Sequence, residues 1–258
     1  MCYDTTQLAF RIYKEAIRLK ASPEEIDFLK SKWEKLKGGD IELYHASGFD
    51  HPDLAAFKME NSELTLKKYQ WGLIPSWIKN ERQAKELWNK TINARGETIF
   101  EKPSFKEAAQ MHRCIVPVDG YFEHFHKQGK TFPYYIKKSD DTKMFIGGLT
   151  SRWSNPENGM IKNTFSFVTT KANEFLTKIH NNPKMKESRM LLILDDKDAK
   201  QWLEGNENEA SELIKPNTSM ELKAHTVRKL RGKKSNNNSE EAIEEVHYPE
   251  LDEPLTLF

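Results

Sequence analysis

The stretch "CIVPVDGYFEHF", residues 114–125, is rich in β-branched and aromatic side chains and reads as strand. Alternation along it puts Tyr121, Glu123 and Phe125 on one face. Similar runs lie on both sides: "LTLKKYQW" at 64–71, "TFPYYIKK" at 131–138, "MFIGGLTSRW" at 144–153 and "NTFSFVTT" at 163–170. Helical patterns interrupt them at 80–90, 104–112, 171–180 and 196–204. Strands in series, without regular alternation with helices, argue for an α+β fold: a mixed or antiparallel sheet, or a barrel-like core, with peripheral helices.

At the start of the chain, Leu8, Ile12, Ala16 and Leu19 recur at helical spacing. "SPEE" then supplies an N-cap Ser22, a proline at the first helical position and Glu25 for a capping box. A second stripe, Ile26, Leu29, Trp33 and Leu36, ends at Gly38-Gly39, so residues 8–37 are expected to form a helical hairpin inserted for packing. Toward the other end, residues 231–245 lack apolar periodicity and are expected to be an exposed loop. No internal repeat is visible, and residues 1–258 are read as one domain.

The 258 residues are 37% apolar and 31% charged, with 40 Lys and Arg against 39 Asp and Glu. A formal net charge of +1 gives no global attraction to nucleic acid or membrane, so a polyanionic partner needs a local basic patch. Cys2 and Cys114 are too few for a disulfide framework, and no metal-ligand spacing occurs, so neither a metal nor another cofactor is expected. The seven histidines other than His180, including His45, His51 and His225, show none either. Asp4, Arg11, Lys14 and Glu15 interrupt any signal-peptide core, and "MLLIL" at 190–194 is too short to span a bilayer. The chain is read as a cytoplasmic monomer without a membrane partner.

Cys2 follows the initiator methionine directly. It is small enough to permit removal of Met1, which would set an α-amine of pKa about 7.7–8.0 beside a thiol of pKa about 8.5. That pair condenses with an aldehyde to a Schiff base, which the sulfur closes to a thiazolidine; it could also attack an acyl carbon. The plainer alternative is a small residue tucked under the terminus.

Other segments carry two readings each. In "TINARGETIF", Asn93 and Arg95 share a strand face: an amide that orients a reacting group beside a phosphate-binding guanidinium, or an Asn turn with a surface arginine. Glu123 among aromatics is either paired with a cation or raised in pKa and suited to acid/base work. His180 ends a helix, where it is either a dipole partner or a proton-transfer group. Trp71 and Trp77 in "YQWGLIPSW" are core anchors, or else a wedge or stacking platform for unpaired bases with Lys67, Lys68 and Arg95 beside it.

Taken together, Met1-Cys2, "WGLIPSW", "INARGET", "PSFKEAAQMHRCIVPVDGYFEH", "GGLTSRW", "FSFVTTKAN", "IHNNP", "RMLLIL" and "TVRKLRGK" resemble the SOS response-associated peptidase (SRAP) family of bacterial YedK-like and eukaryotic HMCES-like proteins. The resemblance implies covalent capture of abasic sites in single-stranded DNA by a thiazolidine crosslink to Cys2, after autocatalytic or assisted loss of Met1, in the DNA damage response. It implies proton relay by Glu123, assistance to sugar ring opening by His180, orientation by Asn93 and phosphate binding by Arg95. It also gives Trp71 a part in DNA strand separation or stacking, and Trp77, Lys67, Lys68 and Arg189 complete the expected DNA-binding set.

The sequence departs from the family where Tyr3-Asp4 replaces the common Gly-Arg, removing an arginine and placing an acid near the DNA path. His124 stands where an aromatic is frequent, Leu191 where a proline is, and an insertion displaces Arg189 from His180. With the crosslinking reading go (auto)peptidase, hydrolase and lyase activities; the alternative readings are a cysteine peptidase acting on external peptides and a DNA-binding module without covalent chemistry. The latter predicts salt-sensitive binding that survives loss of the thiol.

Overall fold

A computed structural model describes residues 3–8, 42–232 and 238–252. Cys2 and the expected hairpin beyond Leu8 lie outside the described residues. Leu8 itself closes a strand instead of opening a helix.

The strands are β1 (Asp4–Leu8), β2 (Glu42–Ser47), β3 (Asp53–Glu60), β4 (Glu63–Trp71), β5 (Asn93–Arg95), β6 (Arg113–Val118), β7 (Gly120–Lys127), β8 (Lys130–Lys138), β9 (Met144–Ser154), β10 (Ile161–Lys171), β11 (Arg189–Leu191), β12 (Ile193–Leu194) and β13 (Leu222–Thr226). The helices are α1 (Glu81–Trp88), α2 (Lys106–Met111), α3 (Glu174–Ile179), α4 (Asp196–Glu204) and α5 (Glu207–Glu212). The fold is therefore α+β, with its helices outside a β core.

Successive pairing of β4, β3, β6, β9 and β10, with β10 returning to β4, closes a five-stranded barrel. β10 is its hub. Along one edge β10 meets β4 and then β5, both parallel; along the other it meets β9 and then β11, both antiparallel. This exchange of partners brings Asn93 level with Phe167 and Arg95 level with Thr169.

A second sheet has the order β13-β8-β7-β1-β2. Gln7 on β1 stitches it to the barrel. Its buried amide accepts from Ala55 N at 2.7 Å and donates to Ala55 O and Pro117 O at 2.9 Å each, so no polar atom of the amide is left unpaired. At the exit of β1, Leu8 N donates to Asp119 Oδ2, which also takes a 2.7 Å bond from the buried Lys143 ammonium.

One core cluster joins Phe57, Leu66, Ile115, Phe145, Leu149 and Val168 of the barrel strands to Trp202 of α4. Of the residues 231–245 expected as an exposed loop, 233–237 lie outside the described residues, and the stretch from Asn238 on is not simply exposed. Glu240–Ile243 forms a 3-10 turn with Ala242 buried, and Asn238 accepts from Tyr44 N and His45 N. Arg231 reaches β1. No helix among the described residues is long and apolar enough to cross a membrane.

Candidate functional site

The site gathers on the face of β7 that carries Glu123. Asp4 on β1 pairs with Phe122, so reading back from Asp4 to Tyr3 takes the chain toward Glu123. Glu123 is only 3% exposed, and its Oε1 has no hydrogen-bond partner among the described residues. Burial pushes its carboxyl above the usual range, with the Asp4 carboxylate acting in the same direction and the nearby His180 side chain in the opposite one. A buried carboxyl left partly unsatisfied in a native fold costs stability and points to a functional role.

His180 comes to the same place through the end of α3. The helix is capped by Asn173, which accepts from Leu176 N at 2.9 Å, and buries Leu176 and Ile179 against the core shared by Tyr121 and Ile92. Asn181 then clamps the β7 backbone: its side chain accepts from His126 N at 2.7 Å and donates to His126 O at 2.8 Å. His180 Nδ1 lies 3.0 Å from Arg189 N and 2.8 Å from Arg189 O. The backbone thus occupies Nδ1 in either tautomer and fixes the ring. The insertion that separates His180 from Arg189 in sequence loops out, and these contacts reunite them.

Asn93 begins β5, with Ile92 packed in the same core cluster as Tyr121, Phe167, Leu176 and Ile179. Two residues on, Arg95 is exposed, and its guanidinium has no ion pair or hydrogen bond among the described residues. An unpaired surface arginine suits phosphate.

Two expected DNA contacts are corrected. Trp71 is 0% exposed: its indole donates to Ile92 O at 2.9 Å and its ring packs on Phe165 and Phe167. It cannot stack on a base without leaving the core. Its backbone is fixed by the turn that follows, where Gly72 adopts φ +108° and a Cβ would lie 2.3 Å from Trp88. Arg189 is likewise buried, forked onto Glu97 by Nη1–Oε1 and Nη2–Oε2 bonds of 2.7 Å each, with further contacts to Glu187 and Thr169 O. Its charge is spent inside the protein.

Trp77 keeps its candidacy, being 51% exposed with a 3.3 Å contact from Nε1 to Pro103 O. Lys67 and Lys68 sit along β4 opposite Ala56 and Ala55, and Lys67 is paired with Glu60.

The departures from the family pattern also take on physical meaning. Asp4 is buried and receives Arg231 Nη2 at 2.8 and 2.9 Å and His45 Nε2 at 2.9 Å, so its negative charge is matched where it stands. His124 is pushed down to about 4, chiefly by burial. It is therefore neutral at ordinary pH. Arg231 and Asn181 were not singled out in the sequence, although Arg231 lies within "TVRKLRGK" and Asn181 directly follows His180. Among the described residues no group of three or more His, Cys, Asp or Glu is placed to hold a metal.

Comparison with known proteins finds relatives over most of the chain. The model of the family described as "SOS response associated peptidase (SRAP)" matches residues 9–233. Abasic site processing protein YoqW of Bacillus subtilis is 34% identical over 213 residues, 78% of this chain and 90% of that protein. Abasic site processing protein HMCES of Gallus gallus is 30% identical over 61% of this chain and 51% of its own length. A crystal structure of a protein from Bacteroides thetaiotaomicron superposes with a TM-score of 0.79 at 31% identity, over 95% of this chain and 100% of that one.

Proposed function

The chain belongs to the SOS response associated peptidase family, and from that premise we propose that it captures abasic sites in single-stranded DNA as a thiazolidine crosslink to Cys2. The observation that carries the reading is Glu123, a buried carboxyl with an unsatisfied oxygen beside His180, toward which β1 runs. Relatives named abasic site processing proteins support it.

The chemistry begins with removal of Met1. His180 moves the proton that opens the deoxyribose hemiacetal to its aldehyde. The α-amine of Cys2 adds to C1′, and Glu123, whose carboxyl burial shifts toward the protonated form, gives its proton to the carbinolamine hydroxyl, which leaves as water. The thiol returns a proton to Glu123 and its sulfur adds to the iminium carbon. One aldehyde and one aminothiol thus become one thiazolidine and one water. Asn93 orients the terminus, Arg95 holds a phosphate, and Trp77 and Lys67 and Lys68 contact the strand.

Cys2→Ala and Cys2→Ser test this on a denaturing gel with an oligonucleotide carrying one abasic site. Loss of the covalent band in both variants is expected. An undiminished band in either would overturn the proposal; Cys2-dependent turnover of an unrelated peptide, without a band, would favour the peptidase reading instead.

A further inference from the structure

Arg231 and Phe49 lie next to Tyr3 and Asp4 and have no part in the chemistry just described. The Arg231 side chain is 53% exposed, yet it is not free to wander: Nη2 alone carries its contacts, to both Asp4 oxygens and, at 3.4 Å, to Ser47 Oγ. Nη1 and Nε make no hydrogen bond or ion pair among the described residues. A buried carboxylate thus fixes one corner of the guanidinium fork and leaves the other donors in solvent, at low entropic cost to any acceptor that meets them.

Beneath that guanidinium is an aromatic ring. Phe49 is 46% exposed on the 3-10 turn after β2, with the Arg231 carbon 5.6 Å from its centroid and the Tyr3 ring 4.9 Å away. The turn is tied to the start of β1 by Gly48 N donating to Tyr3 O at 2.7 Å. A large exposed ring joined to a half-used cation offers a stacking face and an anion site side by side, the pairing that an unpaired nucleotide presents in complement.

We propose that Arg231 and Phe49 form a nucleotide subsite for the single strand immediately beside the lesion, the phosphate on Nη1 and Nε and the base on Phe49. It rests on the crosslinking reading for its location: Asp4 is two residues from Cys2, so their Cα atoms are at most about 7 Å apart. Asp4 serves as the positioning residue for Arg231, and its own charge, matched by the Arg231 guanidinium, does not repel the phosphate.

The test uses a single-stranded oligonucleotide with a tetrahydrofuran in place of the abasic sugar, which lacks the aldehyde and so reports binding without crosslinking. Fluorescence anisotropy over a salt series is compared for the wild type, Arg231→Gln, Phe49→Ala and the double variant Asp4→Asn/Arg231→Gln, which removes the buried carboxylate together with its partner. Arg231→Gln is expected to reduce the slope of log K against log salt by about 0.7, the share of one phosphate contact on a single strand. Phe49→Ala is expected to weaken binding about fivefold or more with the slope unchanged. The double variant is expected to keep the reduced slope. Wild-type affinity and slope in Arg231→Gln and Phe49→Ala would overturn the subsite, as would recovery of the wild-type slope in the double variant. Failure of the crosslinking reading shows separately, as no adduct between the wild type and an aldehyde-bearing oligonucleotide; dependence of binding on Arg231 and Phe49 would still support the subsite.

Discussion

Replacing Trp71 and Trp77 in turn separates two roles that one short motif leaves entangled. Trp71 is wholly enclosed, its ring against Phe165 and Phe167 and its indole nitrogen bonded to Ile92 O, the residue before Asn93. Trp71→Ala empties that space and is expected to cost about 3–5 kcal/mol. For a chain of this size, each kcal/mol shifts the midpoint by about 2–4 °C, so thermal unfolding should fall by roughly 6–20 °C. Trp71→Phe keeps most of the volume but removes the donor to Ile92 O, and about 1–3 kcal/mol is expected. Trp77→Ala, at a half-exposed site, should change stability by no more than about 0.5 kcal/mol while weakening single-strand binding. Thermal unfolding monitored by circular dichroism, paired with anisotropy below the transition, reads both effects. A Trp71→Ala variant of wild-type stability that had lost DNA binding would refute the reasoning, since it would make Trp71 a contact residue and not a core one.

Glu123→Gln removes the acid and should slow crosslinking about a hundredfold or more in a timed gel assay. Because burial raises the folded carboxyl above its unfolded value, the wild type loses stability as pH climbs from the ordinary carboxylate range through the raised value. Denaturant midpoints should therefore show Glu123→Gln more stable than the wild type at neutral pH and not in acid; equal midpoints at both would contradict the assignment. Arg189→Ala should cost about 3 kcal/mol, the lower end for a broken buried pair because Glu97 is partly exposed. Arg95→Gln should leave the unfolding curve unchanged and lower the salt slope of binding by about 0.7.

Much of the fold is legible because its strands and helices carry strong periodic signals. The runs at 64–71, 131–138, 144–153 and 163–170 and the turn-to-strand stretch at 114–125 all fall on observed strands. The helical patterns at 80–90, 104–112, 171–180 and 196–204 each contain one observed helix. β3 escapes notice because "DLAAFKME" is poor in β-branched residues, and its edges are bonded into a barrel that only the assembled chain defines. β5 has three residues and owes its existence to β10. α5, "ENEASE", has almost no apolar face, though its capping box of Asn206 and Glu209 is a local signal that could have marked it.

The candidate site divides along the same line. Glu123, His180, Asn93 and Arg95 stand out by residue type and by position in short motifs, and the first two come together through the Asn181 clamp on β7. Burial does not follow from type. Trp71 and Trp77 are six residues apart, and only packing makes one a core residue and the other a surface one. Asp4 and Arg231 are 227 positions apart, so neither the neutralised acid nor the poised guanidinium has a sequence signature.

Intact-protein mass spectrometry, before and after incubation with a single-stranded oligonucleotide bearing one abasic site, tests the central claim most directly. The account predicts a protein lighter by Met1, which then gains the mass of the oligonucleotide less one water. A processed protein that gains nothing, or an adduct formed with Met1 still attached, would contradict it.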